Sequence, residues 1–252
     1  MKILLSPAKI MSLQTHSYWS MHTQPELIDY AKKLQFVLKE YSPSELESLL
    51  NISPKLSREN WERIQEWNPN PSKAECIQAI FAFKGEVYRG LDAESLSNSS
   101  LTYLQNNLLI ISGLYGLLHP SDDIMLYRLE MGKKLKTEQA IDLYGFWREI
   151  LTLYLNTLLT NDEPILNLAS KEYFSVFNRN KLKGRVTDIE FKDYKNGSLK
   201  SIMMYFKKAR GKMTRWCAEN SINNIEDIKT YNGDDYEFSD KLSTENNLVF
   251  IR

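Results

Sequence analysis

The stretch LLIISGLYGLLHP, residues 108–120, joins an apolar run to a turn that is flanked by glycines. The run LLIIS has the length and composition of a buried strand, and Gly113 and Gly116 permit the positive φ angles of a tight turn. The spacing G-x-x-G differs from the dinucleotide-binding G-x-G-x-x-G and lacks the Lys-Ser/Thr ending of a P-loop. Two interpretations stay open: a structural turn into which Tyr115 packs, or a loop that forms a ligand pocket.

Two further apolar runs predict strands that pair with this one. KILLSP, residues 2–7, is a short run that ends at a proline, and EPILNLAS, residues 163–170, follows the helical pattern of residues 142–159. Strand, helix and strand in this order favour parallel pairing in an α/β sheet.

The rest of the chain adds helices and a hairpin. Residues 185–206 alternate in polarity on both sides of Asn196-Gly197, and this dipeptide between alternating runs is a strong signal of a hairpin. Residues 74–91 have a helical pattern. The sequence thus predicts the α/β class, with one domain over residues 1–252 that contains a mixed sheet flanked by helices and a β-hairpin in its C-terminal half. Residues 25–70 could form a helical subregion.

Composition excludes several classes of protein. With 42% hydrophobic and 25% charged residues, the chain is typical of globular proteins. No apolar run reaches bilayer length, and isolated Cys76 and Cys217 fit a reducing compartment, so we expect a cytoplasmic protein without a membrane partner. His16, His22 and His119 do not cluster with the cysteines at ligand spacing, so no metal site is predicted, and no cofactor is specified.

Charge is balanced overall but unevenly distributed. Lys+Arg 32 equals Asp+Glu 32, whereas residues 171–215 contain 13 basic against 4 acidic residues and residues 219–245 contain 8 acidic residues against 2 lysines. Such segments indicate either a surface for nucleic acid or two surfaces that attract each other.

Polar residues follow the predicted strands at 6–9, 112–116 and 167–172. The carboxyl ends of parallel strands are where ligands bind in α/β sheets, so these loops predict one pocket. Arg128 and Glu130 are two apart, which on an extended segment places both on one side, to pair with each other or to face a ligand. The candidate pocket or anion-binding residues are Lys9, Ser112, Gly113, Tyr115, Gly116, Arg128, Asn167, Ser170, Lys208 and Arg210, and the candidate catalytic residues are Glu130 and Glu172.

Two segments have features of a DNA contact. YFKKARGKMTRW, residues 205–216, places basic residues at the start of a helix, where they oppose the helix dipole unless an anion or the acidic segment offsets them. Residues 46–64 have the layout of a helix-hairpin-helix, whose turn offers backbone amides to a phosphate, although a helical hairpin without a ligand fits equally. The candidate DNA-binding residues are Asn51, Ser53, Lys55, Lys195, Lys200, Lys207, Lys212 and Arg215.

Several long motifs carry a family resemblance that spans nearly the whole chain. They are LLSPAK, AFKGEVYRGLDA, ISGLYGLLHPSDDIMLYRLEMG, LYGFWREI, LNLASKEYF, FKDYKNGSLKSIMMYFKKARGKM and LVFIR. In this order they resemble the YaaA family of bacterial peroxide-stress proteins. The resemblance implies a single α/β domain that helps cells to survive hydrogen peroxide by limiting free iron and DNA damage, and it implies DNA binding through a helix-hairpin-helix.

Two functional hypotheses follow. The first is a cytoplasmic protein of the oxidative stress response that grips double-stranded or distorted DNA by its phosphates. The alternative is an enzyme that acts on a nucleotide or nucleobase in the strand-end pocket. In it Tyr115 would stack on the base, Lys9 and Arg210 would hold an anion, and Glu130 or Glu172 would be the general acid or base.

Overall fold

The apolar runs of the sequence form the centre of a parallel sheet in the computed structural model, which describes residues 1–15 and 19–252. Strand β1 (Lys2–Leu5) pairs in parallel with β5 (Leu108–Ser112) on one side and with β8 (Ile165–Asn167) on the other. Nearly all residues of these strands are buried. Continuous apolar runs, rather than alternating ones, are what strands covered on both faces require. The predicted α/β class is confirmed.

The remaining strands complete this sheet and two small ladders. They are β2 (Ile10–Met11), β3 (Ile77–Gln78), β4 (Phe83–Lys84), β6 (Gly116–Leu118), β7 (Asp123–Ile124), β9 (Val186–Lys195), β10 (Ser198–Lys200), β11 (Glu237–Phe238) and β12 (Asn247–Ile251). Within the described residues the large sheet has eight strands in the order β11-β12-β9-β8-β1-β5-β6, with β10 paired to β9. Strands β6, β10 and β11 are antiparallel to their neighbours, so the sheet is mixed as predicted.

Helices fill the connections between the strands. They are α1 (Ile28–Lys39), α2 (Pro43–Leu50), α3 (Pro54–Glu66), α4 (Ala79–Ala82), α5 (Glu86–Leu91), α6 (Asn98–Asn107), α7 (Leu143–Leu158), α8 (Lys171–Phe174), α9 (Met203–Glu219) and α10 (Ile225–Ile228). No helix in the described ranges is long and apolar enough to cross a membrane.

Strand β1 is a switch point of the sheet. The chain leaves β1 for β5 on one side, and then passes from β5 to β8 on the other side of β1. Because crossovers between parallel strands are right-handed, these two connections run over opposite faces of the sheet. The connections after β1 and β5 therefore lead to opposite faces of the sheet, and the carboxyl end of β1 lies at this switch point, the usual ligand position in open α/β sheets.

The hairpin predicted around Asn196-Gly197 is confirmed. Strands β9 and β10 pair antiparallel, with Lys195 opposite Ser198. Asn196 has φ 53° and Gly197 has φ 74°, and a two-residue turn with both angles positive matches the right-handed twist of the strands.

Two predicted helix boundaries were wrong. Residues 74–91 do not form one helix: β3, α4, β4 and α5 replace it, because β3 pairs with β7 and β4 with β2. Helix α9 begins at Met203, so Lys207 and Lys208 lie in its second turn and not at its N-terminus. The conflict with the helix dipole that was inferred for these lysines therefore does not exist, since the dipole acts within the first turn.

Candidate functional site

The loops after β1 and β8 are joined directly by their serines. The Ser170 backbone N–H donates to Ser6 Oγ at 2.8 Å, and the Tyr88 hydroxyl donates to the Ser6 carbonyl oxygen at 3.1 Å. Ser6 and Ser170 are 164 residues apart in the chain, so only the parallel pairing of β1 with β8 brings them together. The prediction that strand-end loops meet holds for these two.

Ser112, at the end of β5, forms a hydrogen bond with the Tyr127 hydroxyl, and its other contacts indicate which of the two is the donor. Its Oγ accepts from the backbone N–H groups of Leu114 at 3.2 Å and Tyr115 at 2.9 Å, and it lies 2.6 Å from the Tyr127 hydroxyl. A hydroxyl oxygen has two lone pairs, and both are used by the two N–H groups. From this hydrogen-bond network we assign Ser112 as the donor to Tyr127, which leaves the Tyr127 proton free for another acceptor.

Glu130 is a buried carboxylate, and within the described residues only one of its two oxygens has a polar partner. Its side chain is only 6% exposed, and its Oε1 lies 3.2 Å from Arg128 Nη2 and 3.4 Å from Lys9 Nζ. Among the residues that the structure describes, Glu130 Oε2 and Arg128 Nε have no hydrogen-bond partner, and both are buried. Arg128 and Glu130 do pair, as their spacing allowed, but each keeps one polar atom unpaired in this part of the chain. Unsatisfied buried groups are rare and costly, so two of them on contacting side chains make this pair a candidate functional site.

Buried tyrosines lie near this carboxylate and near one another. Burial raises the pKa of Tyr88, Tyr127 and Tyr173 above that of a free phenol, and Tyr127 adds to the effect on the other two. The charge of Glu130 raises the pKa of Tyr127 and Tyr173 further. All three stay neutral at physiological pH and act as hydrogen-bonding hydroxyls. No spacing rule pointed to them, because tyrosines in apolar stretches have the pattern of ordinary core residues.

We call the group formed by Ser6, Lys9, Ser112, Tyr127, Arg128, Glu130 and Ser170 the strand-end site.

The GLYG loop packs against the segment that carries Glu130. A Cβ on Gly113 would lie 2.2 Å from the Leu129 carbonyl oxygen, so the absence of a side chain lets the segment that carries Glu130 cross the end of β5. Gly116 has φ +77°, as the turn requires, whereas Gly113 is not among the glycines with positive φ, which corrects that expectation. Trp147 Nε1–H donates to the Gly113 carbonyl oxygen at 2.9 Å and holds the loop in place.

Tyr115 is part of the core. It is only 2% exposed, and its hydroxyl accepts from Trp67 Nε1–H at 2.9 Å and from the Met125 N–H at 3.3 Å. Its ring packs edge-on against Tyr127 at 5.4 Å between centroids. The expectation that Tyr115 stacks on a base is therefore corrected: the ring has no open face, and it orders the neighbouring Tyr127 instead.

Asn167 and Glu172 hold the loops around the strand-end site. Asn167 accepts from the Ala169 N–H at 3.0 Å and donates to Asp188 at 2.7 Å. Glu172 Oε1 accepts from the Gly132 N–H at 3.1 Å, two residues beyond Glu130. These contacts fit positioning roles, whereas the predicted acid–base role of Glu172 stays a prediction.

The sequence of the whole chain decides the family. A family model described as "Peroxide stress protein YaaA" matches residues 1–242. The chain belongs to the YaaA family. The family resemblance of its motifs is thereby confirmed, and the role in peroxide stress follows from it.

Relatives of this YaaA-family chain are similar along their full length. A UPF0246 protein of Marinomonas sp. (strain MWYL1) is 42% identical over 252 residues, which are 100% of this chain and 97% of the relative. A UPF0246 protein of Flavobacterium johnsoniae is also 42% identical over 252 residues, which are 100% of this chain and 100% of the relative.

The predicted basic residues of this YaaA-family protein divide into two groups. Lys212 forms an ion pair with Asp234 of the acidic segment, and Arg215 binds Asp92 at 3.3 Å and Glu219 at 2.8 Å. The interpretation that basic and acidic segments attract each other is confirmed for these two side chains. Their charges are already matched by carboxylates, and whether they bind phosphate stays a prediction.

Arg210 is largely buried among protein groups. Its guanidinium lies 5.1 Å from the centroid of the Phe206 ring, and its Nε has no hydrogen-bond partner within residues 1–15 and 19–252. Burial lowers its pKa, whereas the carboxylates of Asp188 and Glu190 act in the opposite direction. The structure thus places Arg210 beside carboxylates of β9, and its predicted partnership with Lys9 stays a prediction.

The second group consists of lysines that face solvent. Lys195, Lys200, Lys207 and Lys208 are exposed, and none forms an ion pair with a residue that the structure describes. The side chains between them are Tyr194 (64% exposed), Met203 (64%), Met204 (55%) and Tyr205 (41%). We call these eight residues the hairpin–α9 surface.

The predicted helix-hairpin-helix coincides with a helical hairpin made by α2 and α3. Asn51 ends α2 with φ 52°, and the Ser53 side chain caps α3 by accepting from the Leu56 N–H. Lys133 donates to the Leu50 carbonyl oxygen at 2.6 Å, which joins this turn to the segment that follows Glu130. Lys55 is exposed. Whether this turn binds phosphate stays a prediction.

The histidines occupy separate places. His22 Nδ1 lies 2.9 Å from Asp123, and His119 Nδ1 lies 3.4 Å from the Gln105 carbonyl oxygen. His16 lies outside the described residues. Over 1–15 and 19–252, no group of three or more His, Cys, Asp or Glu side chains could hold a metal ion.

Proposed function

We propose that this peroxide stress protein acts in the cytoplasm by binding DNA, and that it thereby helps to limit DNA damage and free iron. The observation that supports DNA binding is the hairpin–α9 surface, where four exposed lysines have no ion-pair partner among the residues that the structure describes. A protein without net charge attracts a polyanion only where its positive charges are locally unmatched.

The composition of this surface suits DNA better than a smaller anion. Lys195 and Lys200 lie on the two strands of the hairpin, and Lys207 and Lys208 lie in the second turn of α9. Four charges spread over three elements match several successive phosphates, not one. The exposed tyrosines and methionines between them offer apolar contacts to bases and sugars, which double-stranded DNA presents mainly where it is distorted.

The turn between α2 and α3 is a second candidate contact. Asn51, Ser53 and Lys55 are exposed at this turn. A phosphate would accept from its backbone amides and from the Lys55 ammonium, as in other helix N-terminal contacts.

A salt series tests the proposal. Binding of a fluorescent 20-bp duplex, intact or with a central mismatch bubble, is measured by anisotropy for the wild type, Lys207→Ala/Lys208→Ala and Lys195→Ala/Lys200→Ala. Each phosphate contact contributes about 0.9 to the slope of log K against log salt, so each double variant should reduce the slope by about 1.8. Lys55→Ala should reduce it by about 0.9 if the α2–α3 turn takes part.

The matched control is Lys229→Ala/Lys241→Ala, which removes two charges from the acidic segment. It should leave the slope unchanged. Wild-type affinity that does not respond to salt, or slopes that are equal in all variants, would refute the phosphate grip. In cells, a variant lacking all four lysines should fail to protect DNA against hydrogen peroxide and to lower free iron.

A further inference from the structure

Two atoms of the strand-end site lack a hydrogen-bond partner among the residues that the structure describes. Glu130 Oε2 is an acceptor and Arg128 Nε is a donor, both are buried, and the side chains that carry them are joined at 3.2 Å between Glu130 Oε1 and Arg128 Nη2. Leaving a buried charged group unsatisfied costs about 1–3 kcal/mol or more. The structure retains both, on two side chains that contact each other.

A third polar group adds to this pair. Since Ser112 spends its proton on Tyr127, the Tyr127 proton has no acceptor on Ser112. Glu130 is close enough to raise the pKa of Tyr127. The strand-end site thus offers one unused acceptor and two unused donors around one carboxylate.

A ligand that satisfies these atoms needs an N–H and a C=O on the same side. A trans peptide presents its N–H and C=O in opposite directions, so a peptide backbone fits poorly. A cyclic amide, such as the lactam edge of a nucleobase, presents them together. The N–H would donate to Glu130 Oε2, and the C=O would accept from Arg128 Nε or the Tyr127 hydroxyl.

Charge extends this match beyond the ring. Lys9 and Arg128 with Glu130 give the site a net charge of +1, and Lys9 is 65% exposed at its rim. An exposed ammonium beside a buried recognition group suits a phosphate that stays in water while the base enters. The position is also right, because the carboxyl end of a strand at the switch point is where open α/β sheets bind nucleotides.

We propose that the strand-end site binds a nucleobase through its lactam edge, with the attached phosphate at Lys9. This goes beyond the grip of the hairpin–α9 surface on DNA phosphates and uses none of its lysines. The base can be that of a free nucleotide or an unpaired base of a DNA strand, since both present the same edge.

Calorimetric titration with defined probes tests the site. The probes are uridine and guanosine 5′-monophosphates, N3-methyluridine 5′-monophosphate, ribose 5-phosphate and a dT12 strand. The proteins are the wild type, Glu130→Gln, Tyr127→Phe and the matched control Glu237→Gln, an exposed residue of β11. Thermal unfolding of each variant shows whether it has folded, and Tyr127→Phe removes only one oxygen.

The expected effects follow from the hydrogen bonds. In Glu130→Gln the amide oxygen must face Lys9 and Arg128, which leaves an N–H₂ group in place of Oε2 and opposes the ligand N–H. Kd should rise about tenfold or more, as for a lost bond to a charged group, and about threefold to tenfold in Tyr127→Phe. N3-methyluridine monophosphate should bind as weakly as ribose 5-phosphate, and Glu237→Gln should bind like the wild type.

Each outcome decides the proposal. If the mononucleotides show this pattern, the ligand is a free nucleotide; if only dT12 shows it, the ligand is a base of DNA. The proposal is overturned if no probe binds, if ribose 5-phosphate binds as well as the nucleotides, or if Glu130→Gln keeps wild-type affinity. Because the lysine variants leave these atoms intact, failure of the DNA proposal would not change the mononucleotide result.

Discussion

Gly113→Ala should be the most damaging methyl group that can be added near the strand-end site. Its Cβ would lie 2.2 Å from the Leu129 carbonyl oxygen and 3.0 Å from the Leu129 carbonyl carbon. Both are backbone atoms, so relief requires the segment before Glu130 to retreat by about 1 Å, because real contacts of this kind exceed about 3 Å. Overpacking of this type costs about 2–3 kcal/mol.

The assay is urea unfolding at equilibrium, together with a thermal melt. A loss of about 2–3 kcal/mol corresponds to a fall in Tm of about 4–12 °C for a chain of this length. The control is Gly197→Ala, where a Cβ meets nothing within 4 Å but φ is +74°, so only backbone strain of about 1–2 kcal/mol applies. A Gly113→Ala protein as stable as wild type, with an unchanged m-value, would refute the close approach. The same variant should weaken nucleotide binding, since the moved segment carries Glu130.

Three further predictions concern single side chains. Trp67→Phe leaves Tyr115 without its 2.9 Å donor and should cost about 1–2 kcal/mol in urea unfolding; no change would mean that the bond is dispensable. Arg215→Ala removes contacts at the C-terminal end of α5 and should lower the free energy of unfolding by about 1 kcal/mol. The salt slope of DNA binding should stay unchanged in this variant; a reduced slope would show that Arg215 binds phosphate. Burial raises the pKa of Cys76 to about 11 and that of Cys217 still further. Mass spectrometry should therefore find both thiols alkylated slowly at pH 7.5, and the rate at Cys76 should rise as the pH approaches 11. Rapid alkylation at pH 7.5 would contradict this burial.

The strand-end site could be only partly predicted from the sequence. The run LLIIS and the pair Arg128 and Glu130 indicated a strand followed by an extended polar segment, and both are present. The spacing could not indicate that Glu130 is buried or that Oε2 is left unpaired, because these depend on how the segment crosses Gly113. The stacking role expected for Tyr115 was wrong because neighbours distant in the chain bury its ring, and the pairing of Arg215 with Asp92 could not be read from the sequence either.

The sequence by itself determined the elements whose signals are local: the fully apolar strands β1, β5 and β8, the hairpin turn at Asn196-Gly197, and the motifs of the YaaA family. Periodicity, turn chemistry and composition act over a few residues, so a single sequence carries them. The tertiary structure alone decided which lysines remain unpaired and which polar atoms converge. Ser6 meets Ser170 across 164 residues, and such contacts exist only after the sheet has set the order of its strands.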